Sequence, residues 1–288
     1  NPELLARVRE TYPEVIAVKN AYAQGLSGAR NSGMAVATGD LIAFMDEDAY
    51  ADPQWLARLA SGYQDPNVMG VGGAINPVWE GARPTWFPPE FDWVVGCTYR
   101  GMPEKVNKVR NLIGCNMSFR REVFTRVGEF RQGMGRLGAI PYGCEETEYC
   151  IRINQAYQEN VLLFDPRAKV YHHVPGSRAR ISYFLRRCFS EGISKSQVAH
   201  WVGASDGLAN ERSYTVRTLP LAVWEGFRES LRKLQPAGLS RAGAVMLGLL
   251  TTTTGYLIGQ GKYAFKHIQA LPAQADMVEI ESNTSHER

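Results

Sequence analysis

The chain has 288 residues, 44% hydrophobic and 21% charged, a globular composition with room for one large domain and an appendage. A net charge of +3 is too small to argue for nucleic acid, and no nucleic-acid partner is expected. Five cysteines (Cys97, Cys115, Cys144, Cys150, Cys188) form an odd set without a CxxC pair, which argues against a disulfide framework or zinc ribbon and fits a reducing cytosol.

The first half alternates short apolar runs with helical patterns, as stacked βα units do. Asn1–Glu10 reads as a helix with no initiator Met, so the true amino terminus is expected to lie upstream. Val15–Val18 reads as a short buried strand. Ser27 is placed to cap a helix through Val36 and Ala37 that Gly39 closes. Leu41–Met45 is apolar without alternation, the pattern of a central parallel strand covered on both faces. Asp52 and Pro53 begin another helix, with Trp55, Leu56 and Leu59 as its buried side. Gly70–Ile75 is a further strand.

Residues 76–110 are dense in proline and aromatics (Trp79, Trp86, Phe87, Phe91, Trp93), so an ordered irregular loop is expected there. Strands at Asn111–Phe119, Val161–Phe164 and Ala168–Val174 accompany a helix at Glu145–Ala156. Beyond Leu219 the character changes. Leu221–Leu234 is amphipathic, and Ala242–Gly261 carries no charge over 20 positions between Arg241 and Lys262. That is a bilayer-crossing length, yet its threonines and glycines leave three readings open: a spanning helix, one lying in the interface, and a buried soluble helix. The organisation expected is a catalytic domain over 1–215, a helical, membrane-associated region over 216–270 and a disordered tail over 271–288.

Two acidic clusters carry the chemistry. Asp46-Glu47-Asp48 follows an apolar strand directly, and ligands of open α/β sheets bind beyond the carboxyl ends of strands. Adjacent carboxylates raise each other's pKa unless a cation neutralises them, and hard oxygen donors suit Mg²⁺ or Mn²⁺. A solvated acidic turn explains the same three residues without chemistry. Glu145, Glu146 and Glu148 open a helix, where the macrodipole favours acids whether or not they react. Alternation along Ala168–Val174 directs His172 inward and His173 outward. Late basic residues (Arg178, Arg180, Arg186, Arg187, Lys195) suit an anionic ligand.

The run Gly28-Ala29-Arg30-Asn31-Ser32-Gly33, followed by Ala37-Thr38-Gly39-Asp40, Leu41–Asp48 and Asp52-Pro53, resembles the core of family 2 glycosyltransferases. The likeness covers roughly residues 15–200. It implies an α/β fold: one Rossmann-like, nucleotide-sugar-binding domain of GT-A type with a mixed, mostly parallel sheet, plus a C-terminal helical region. It places Arg30, Asn31, Asp46 and Asp48 at the donor, with Asp48 and His172 on a divalent metal, Mn²⁺ or Mg²⁺. Glu146 matches the family's catalytic base and Glu145 its neighbour, although the family usually has Asp there, and Glu47 stands where it usually has a small residue. Gly114–Arg121 resembles the acceptor-side segment, with Asn116 in it. Arg178, Arg180 and Lys195 would face a diphosphate or a lipid-phosphate acceptor. Gln197–Trp201 approaches a motif of processive synthases, but His200 replaces its Arg, so transfer of one sugar is expected.

The function implied is inverting, metal-assisted transfer from a nucleotide-diphosphate sugar, UDP-linked by preference, to a glycan or polyprenyl-linked hydroxyl acceptor. The expected place is the cytoplasmic face of the cell membrane. The family's first strand precedes the segment that aligns with Asn1. The rival readings are a non-catalytic nucleotide-sugar-binding module and a metal-dependent nucleotidyltransferase or sugar-nucleotide hydrolase.

Overall fold

A computed structural model describes residues 2–133, 143–158, 161–203, 206 and 213–269, with side chains as far as residue 261. The expected tail over 271–288 lies outside the described residues. In chain order the elements are α1 (Pro2–Thr11), α2 (Leu26–Val36), β1 (Leu41–Phe44), β2 (Ala49–Ala51), α3 (Trp55–Ser61), β3 (Gly70–Trp79), β4 (Asn107–Lys108) and β5 (Met117–Arg120). They continue with α4 (Arg121–Val127), α5 (Glu145–Tyr157), β6 (Leu162–Val174), α6 (Ile181–Val202), α7 (Leu219–Lys233) and α8 (Ala237–Gln269). The sheet runs β1-β5-β3-β6-β2, with β4 also on β6.

The sheet is mixed, as expected, but among the described residues only the β3–β6 contact is parallel. The reason is β5, which enters between β1 and β3 antiparallel to both. β3 and β6 form the long central pair, brought close by glycine: a Cβ on Gly73 would lie 1.9 Å from the Ala168 carbonyl oxygen. The two strands expected over 161–174 are one. Asp165 bridges them by accepting the Arg167 backbone N–H and Nε–H, both at 2.9 Å, opposite a register shift between Gly73 and Ile75.

Several local expectations are corrected. Val15–Val18 forms no strand, and Val15, Ile16 and Val18 are exposed; β-branched residues need a neighbouring strand to pair with, and none of the described strands runs beside them. Leu41–Phe44 is a strand, but it pairs only with β5 at one end of the described sheet. Its apolar run serves one cluster, where Phe44 meets Phe119, Phe124 and Phe130 edge-on or tilted. Ser27 lies inside α2 and Gly25 precedes it, so Ser27 is not the cap. Asp52 does organise the start of α3, its Oδ1 accepting the Gln54 N–H at 3.0 Å, but the helix begins at Trp55 and Leu56 points to solvent. Of Asn111–Phe119, only the last residues are strand.

The aromatic segment is ordered, as its composition foretells. Phe87, Phe91 and Phe184 are buried and pack ring against ring, with Trp86 edge-on to Phe184. This cluster seals α6 against the loop that carries a 3₁₀ helix, Pro89–Val95, to the edge of the cleft described below. α7 and α8 join the same core through Leu219 and Val245, so the helices beyond residue 216 share apolar contacts with the sheet. All five cysteines are buried and unpaired. Removing the Phe184 ring leaves a cavity among three aromatics. Phe184→Ala should therefore lower unfolding stability by about 3–5 kcal/mol, read as a lower denaturation midpoint at unchanged m-value.

Candidate active site

Strand pairing brings the first acidic segment to β6. β2 pairs with β6 so that Ala49 faces His172, and the His173 N–H donates to the Asp48 carbonyl at 2.8 Å. That register sets the Asp48 carboxylate beside His172, with Oδ1 3.1 Å from Nε2. Arg178, in the turn after β6, reaches Asp48 Oδ2 at 3.4 Å and lies 3.5 Å from His172 Nε2. Burial is the chief cause holding His172 below the ordinary imidazole pKa, against the pull of Asp48. The ring is thereby kept neutral, the state in which a nitrogen can bind a metal.

The second acidic segment arrives at the start of α5. Cys144 precedes the helix with φ 70, a left-handed conformation that costs a non-glycine residue about 1–3 kcal/mol. It turns the chain so that Glu145 and Glu146 open α5 at the cleft. Arg30, in α2, is buried there and donates from one amino group to Glu145 Oε1 at 2.8 Å, while the other lies 3.7 Å from Asp46 Oδ1. Burial opposes the charge on Arg30, but Glu145, Asp46 and Glu146 more than offset it and raise its pKa. Gly114 makes room for this guanidinium, since a Cβ there would stand 2.4 Å from it. Gly114 lines the cleft, and its nearest neighbour is the protein's own arginine.

Glu145 is buried, whereas Glu146 is half-buried. Burial first, and the neighbouring Glu145 second, push the Glu146 carboxyl up to about 8. Burial likewise raises Asp46, with Arg30 opposing. Asp46, Asp48, Glu146 and His172 all line one cleft of about 200 Å³, closed by Arg178 and Arg187 and by Val94–Gly96 of the aromatic loop. A larger cavity of about 760 Å³, lined by Tyr99, Arg110, Asn154 and Tyr214, adjoins it through Ile113 but holds neither acidic cluster. The smaller cleft is where acids and cations converge.

The donor set can be tested against a divalent cation. Two ligands at right angles, each about 2.1 Å from one ion, stand about 3 Å apart; Asp48 and His172 meet that spacing. Among the described residues no third His, Cys, Asp or Glu joins them in one group. Such a pair suits an ion that keeps water and takes phosphate oxygens, as Mg²⁺ and Mn²⁺ do.

The sequence profile of the family described as Glycosyl transferase family 2 matches residues 2–128. A glucosyl-dolichyl phosphate glucuronosyltransferase of Haloferax volcanii is 36% identical over 199 residues, 68% of this chain and 63% of that protein. The chain belongs to glycosyltransferase family 2. The succinoglycan biosynthesis protein ExoM of Rhizobium meliloti is 26% identical over 169 residues, 58% of this chain and 50% of that one. The match therefore spans less than two thirds of either relative's length. A mannosyltransferase from Pyrobaculum calidifontis, solved with GDP-Man and Mn²⁺, superposes with a TM-score of 0.50 at 17% identity, over 87% of this chain and 73% of that one. The fold is of GT-A type.

Within this family-2 scaffold the expected site residues divide. Arg30, Asp46, Asp48, Glu145, Glu146, His172 and Arg178 meet at the cleft. Asn31 does not line it: its amide spans the backbone of Phe130, donating to the carbonyl at 2.9 Å and accepting the N–H at 3.0 Å. Asn116 is fully buried, accepting from Trp55 Nε1 at 2.8 Å and donating to the carbonyls of Ala74 and Ala168. Arg180 is exposed just before α6, and Lys195 lies 3.7 Å from Glu191; neither lines the cleft. Glu148 is held by Arg131 and Arg152, which ties α5 to the segment after α4.

Arg187, named in the late basic cluster, is absent from the residues assigned to donor, metal or acceptor. It lines the cleft and pairs with Glu191 at 3.1 Å. Helical spacing could have found it, because Phe184, Arg187, Cys188 and Glu191 recur on one face of α6. The Asn116 network makes a separable prediction. Asn116→Ala strands the Trp55 N–H and removes the donor to two carbonyls, so unfolding stability should fall by about 2 kcal/mol or more. Loss of turnover at unchanged denaturation midpoint would instead give Asn116 a part at the ligand.

Proposed function

We propose that this chain transfers a single sugar from a nucleotide-diphosphate donor to a hydroxyl acceptor by direct displacement with inversion, Glu146 acting as the base. The observation that carries the reading is the shared cleft: Glu146 and the Asp48–His172 pair come from distant segments and open onto one space. The acceptor hydroxyl attacks the anomeric carbon while Glu146 takes its proton, and the bond to the diphosphate breaks on the opposite side. Glu145 is fixed on Arg30, which leaves Glu146 as the freer carboxylate.

A divalent cation, Mn²⁺ or Mg²⁺, held by Asp48 and His172 would neutralise charge that grows on the leaving diphosphate. Arg178 and Arg187 supply further positive charge at the same place. Asp46, held toward Arg30, is assigned to the nucleotide's ribose side. A UDP-sugar is the donor preferred here. A polyprenyl-phosphate-linked or cell-surface glycan is the acceptor class, reached from the cytoplasmic face of the membrane. The Haloferax volcanii relative, whose name specifies glucosyl-dolichyl phosphate, supports that class.

Three measurements test the reading. In the first, UDP-, GDP- and dTDP-sugars are offered with Mn²⁺ or Mg²⁺, with and without membrane lipids, and nucleotide release is followed. Release that needs an acceptor supports transfer; free sugar without an acceptor would mean hydrolysis, and release of pyrophosphate would mean nucleotidyl transfer. Glu146→Gln should reduce turnover at least ~10²-fold while donor binding persists.

The second is the pH profile. A protonated carboxyl cannot accept a proton, so a base raised to about 8 loses activity as pH falls below that value. The log of kcat/KM should thus climb through neutrality and level off only above it; a plateau already reached near pH 5 would remove Glu146 from the role. The third is metal dependence. Asp48→Asn and His172→Ala should each raise the Mn²⁺ concentration needed for half-maximal rate, by about 10-fold or more for loss of one ligand.

A further inference from the structure

Length and composition would let α8 cross a bilayer: its segment Ala237–Gly261 has a mean hydropathy of 1.3. The packing argues otherwise. α8 lies along α6 with three glycine contacts at backbone distance. A Cβ on Gly192 would meet the Thr252 carbonyl oxygen at 2.0 Å, one on Gly255 the Phe189 carbonyl oxygen at 2.2 Å, and one on Gly259 the Ser196 hydroxyl at 2.0 Å. α6 also carries Arg187, Glu191 and Lys195. To span, α8 would have to leave this seam and uncover Ala242, Ala244 and Val245, or take a charged helix with it.

Among the described residues nothing covers the opposite side of α8. Met246, Leu250 and Leu257 are 58%, 65% and 63% exposed, spaced to share one face of the helix. α7 packs against α8 where the Gly226 and Gly238 backbones touch, and it too has an open apolar stripe. Leu221, Trp224 and Leu231 are 56%, 64% and 78% exposed. Leu234, in the turn between the helices, is 90% exposed. Cations adjoin the stripe: Arg217, Arg228 and Arg232 are exposed and show no ion-pair partner among the described residues. The nearby acids are engaged elsewhere, Glu225 by Arg100 and Glu229 by Lys233 and Arg241.

We infer that α7 and α8 form a face that docks flat on the surface of an anionic bilayer, with the apolar stripes in the headgroup region and the three arginines on lipid phosphates, and that α8 does not cross. Apolar side chains beside unpaired cations are the composition of an interfacial helix. A second copy of the chain fits less well. A self-complementary interface brings a patch onto itself, and this patch would oppose arginine with arginine. The inference stands whether or not the acceptor is lipid-linked. It places α6, and with it Arg187 of the cleft, one helix layer above the membrane.

The test uses the full chain and sedimented vesicles, one set of phosphatidylcholine alone and one containing about one-third phosphatidylglycerol. Binding to the anionic set, weakened by high salt and released by alkaline carbonate, is the result expected. Arg217→Gln, Arg228→Gln and Arg232→Gln combined should weaken that binding at least about 10-fold, since each cation near an anionic surface adds appreciably to affinity. Leu221→Ser with Leu231→Ser should weaken binding to both sets. Unchanged thermal melting of these exposed-site variants would separate lost docking from lost folding. Protein that resists carbonate would overturn the inference in favour of a spanning helix. Protein that ignores both vesicle sets would overturn it outright, and a dimer under those conditions would name a second copy as the occupant.

Discussion

Arg30 holds together two stretches of chain that stand far apart in sequence, at Asp46 and at Glu145. One amino group meets Glu145 at the head of α5 and the other faces Asp46 beyond β1, so a single guanidinium in α2 sets how far the two acidic segments stand from each other. A buried ion pair of this kind adds little net stability over an apolar replacement, but removing one partner leaves an uncompensated buried charge, at about 3–5 kcal/mol. Its value to the protein is therefore positional. Gly114 must lack a side chain for the guanidinium to pass, and Phe130 lies 5.7 Å below it. Asn31, one residue on, anchors that phenylalanine's backbone. The Arg-Asn pair works as a clamp, Asn31 fixing the floor on which Arg30 lies.

Charge in the cleft is unbalanced, and the imbalance gives it chemical character. Asp46, Glu47, Asp48, Glu145 and Glu146 face Arg30, Arg178 and Arg187, with His172 kept neutral by burial. Five acids against three fixed cations leave room for added positive charge at Asp48 and for a proton on Glu146, whose carboxyl is raised. A cation and a diphosphate that enter together bring roughly compensating charges.

Much of this was legible in the sequence, and the parts that were not share a physical reason. Asp46-Glu47-Asp48 stood out because a strand end followed by acids is a local pattern, and α5 declared itself by its acidic first turn. His172 could be assigned inward from alternation alone, and it is buried. What failed were inferences about neighbours. The Leu41–Phe44 run reads as a central strand, since an apolar strand in sequence does not say how many strands flank it. Asn116 and Asn31 lie in motif positions, yet their amides are consumed by backbone groups 42 to 99 positions away, partners that no local spacing encodes. Arg180 and Arg187 look alike as members of a basic cluster. Arg180 stands in extended backbone just before α6 and is exposed, whereas the phase of α6, set by the burial of Phe184 and Cys188, brings Arg187 to the cleft.

That phase also makes the C-terminal helices more than an appendage. α6 presents Arg187 to the cleft and receives α8 at Gly192. Its rotation about its own axis is fixed by the aromatic cluster around Phe184, which α8 also meets at Gly248, and by the glycine seam. A side chain at Gly255 or Gly259 would push α8 off α6, against the Phe189 backbone or the Ser196 hydroxyl. The helical layer thus packs on the helix that carries Arg187 without contributing a residue to the cleft itself. Whatever surface α7 and α8 rest on is joined to the cleft through α6 and through the aromatic loop, where Gly248 meets Phe91.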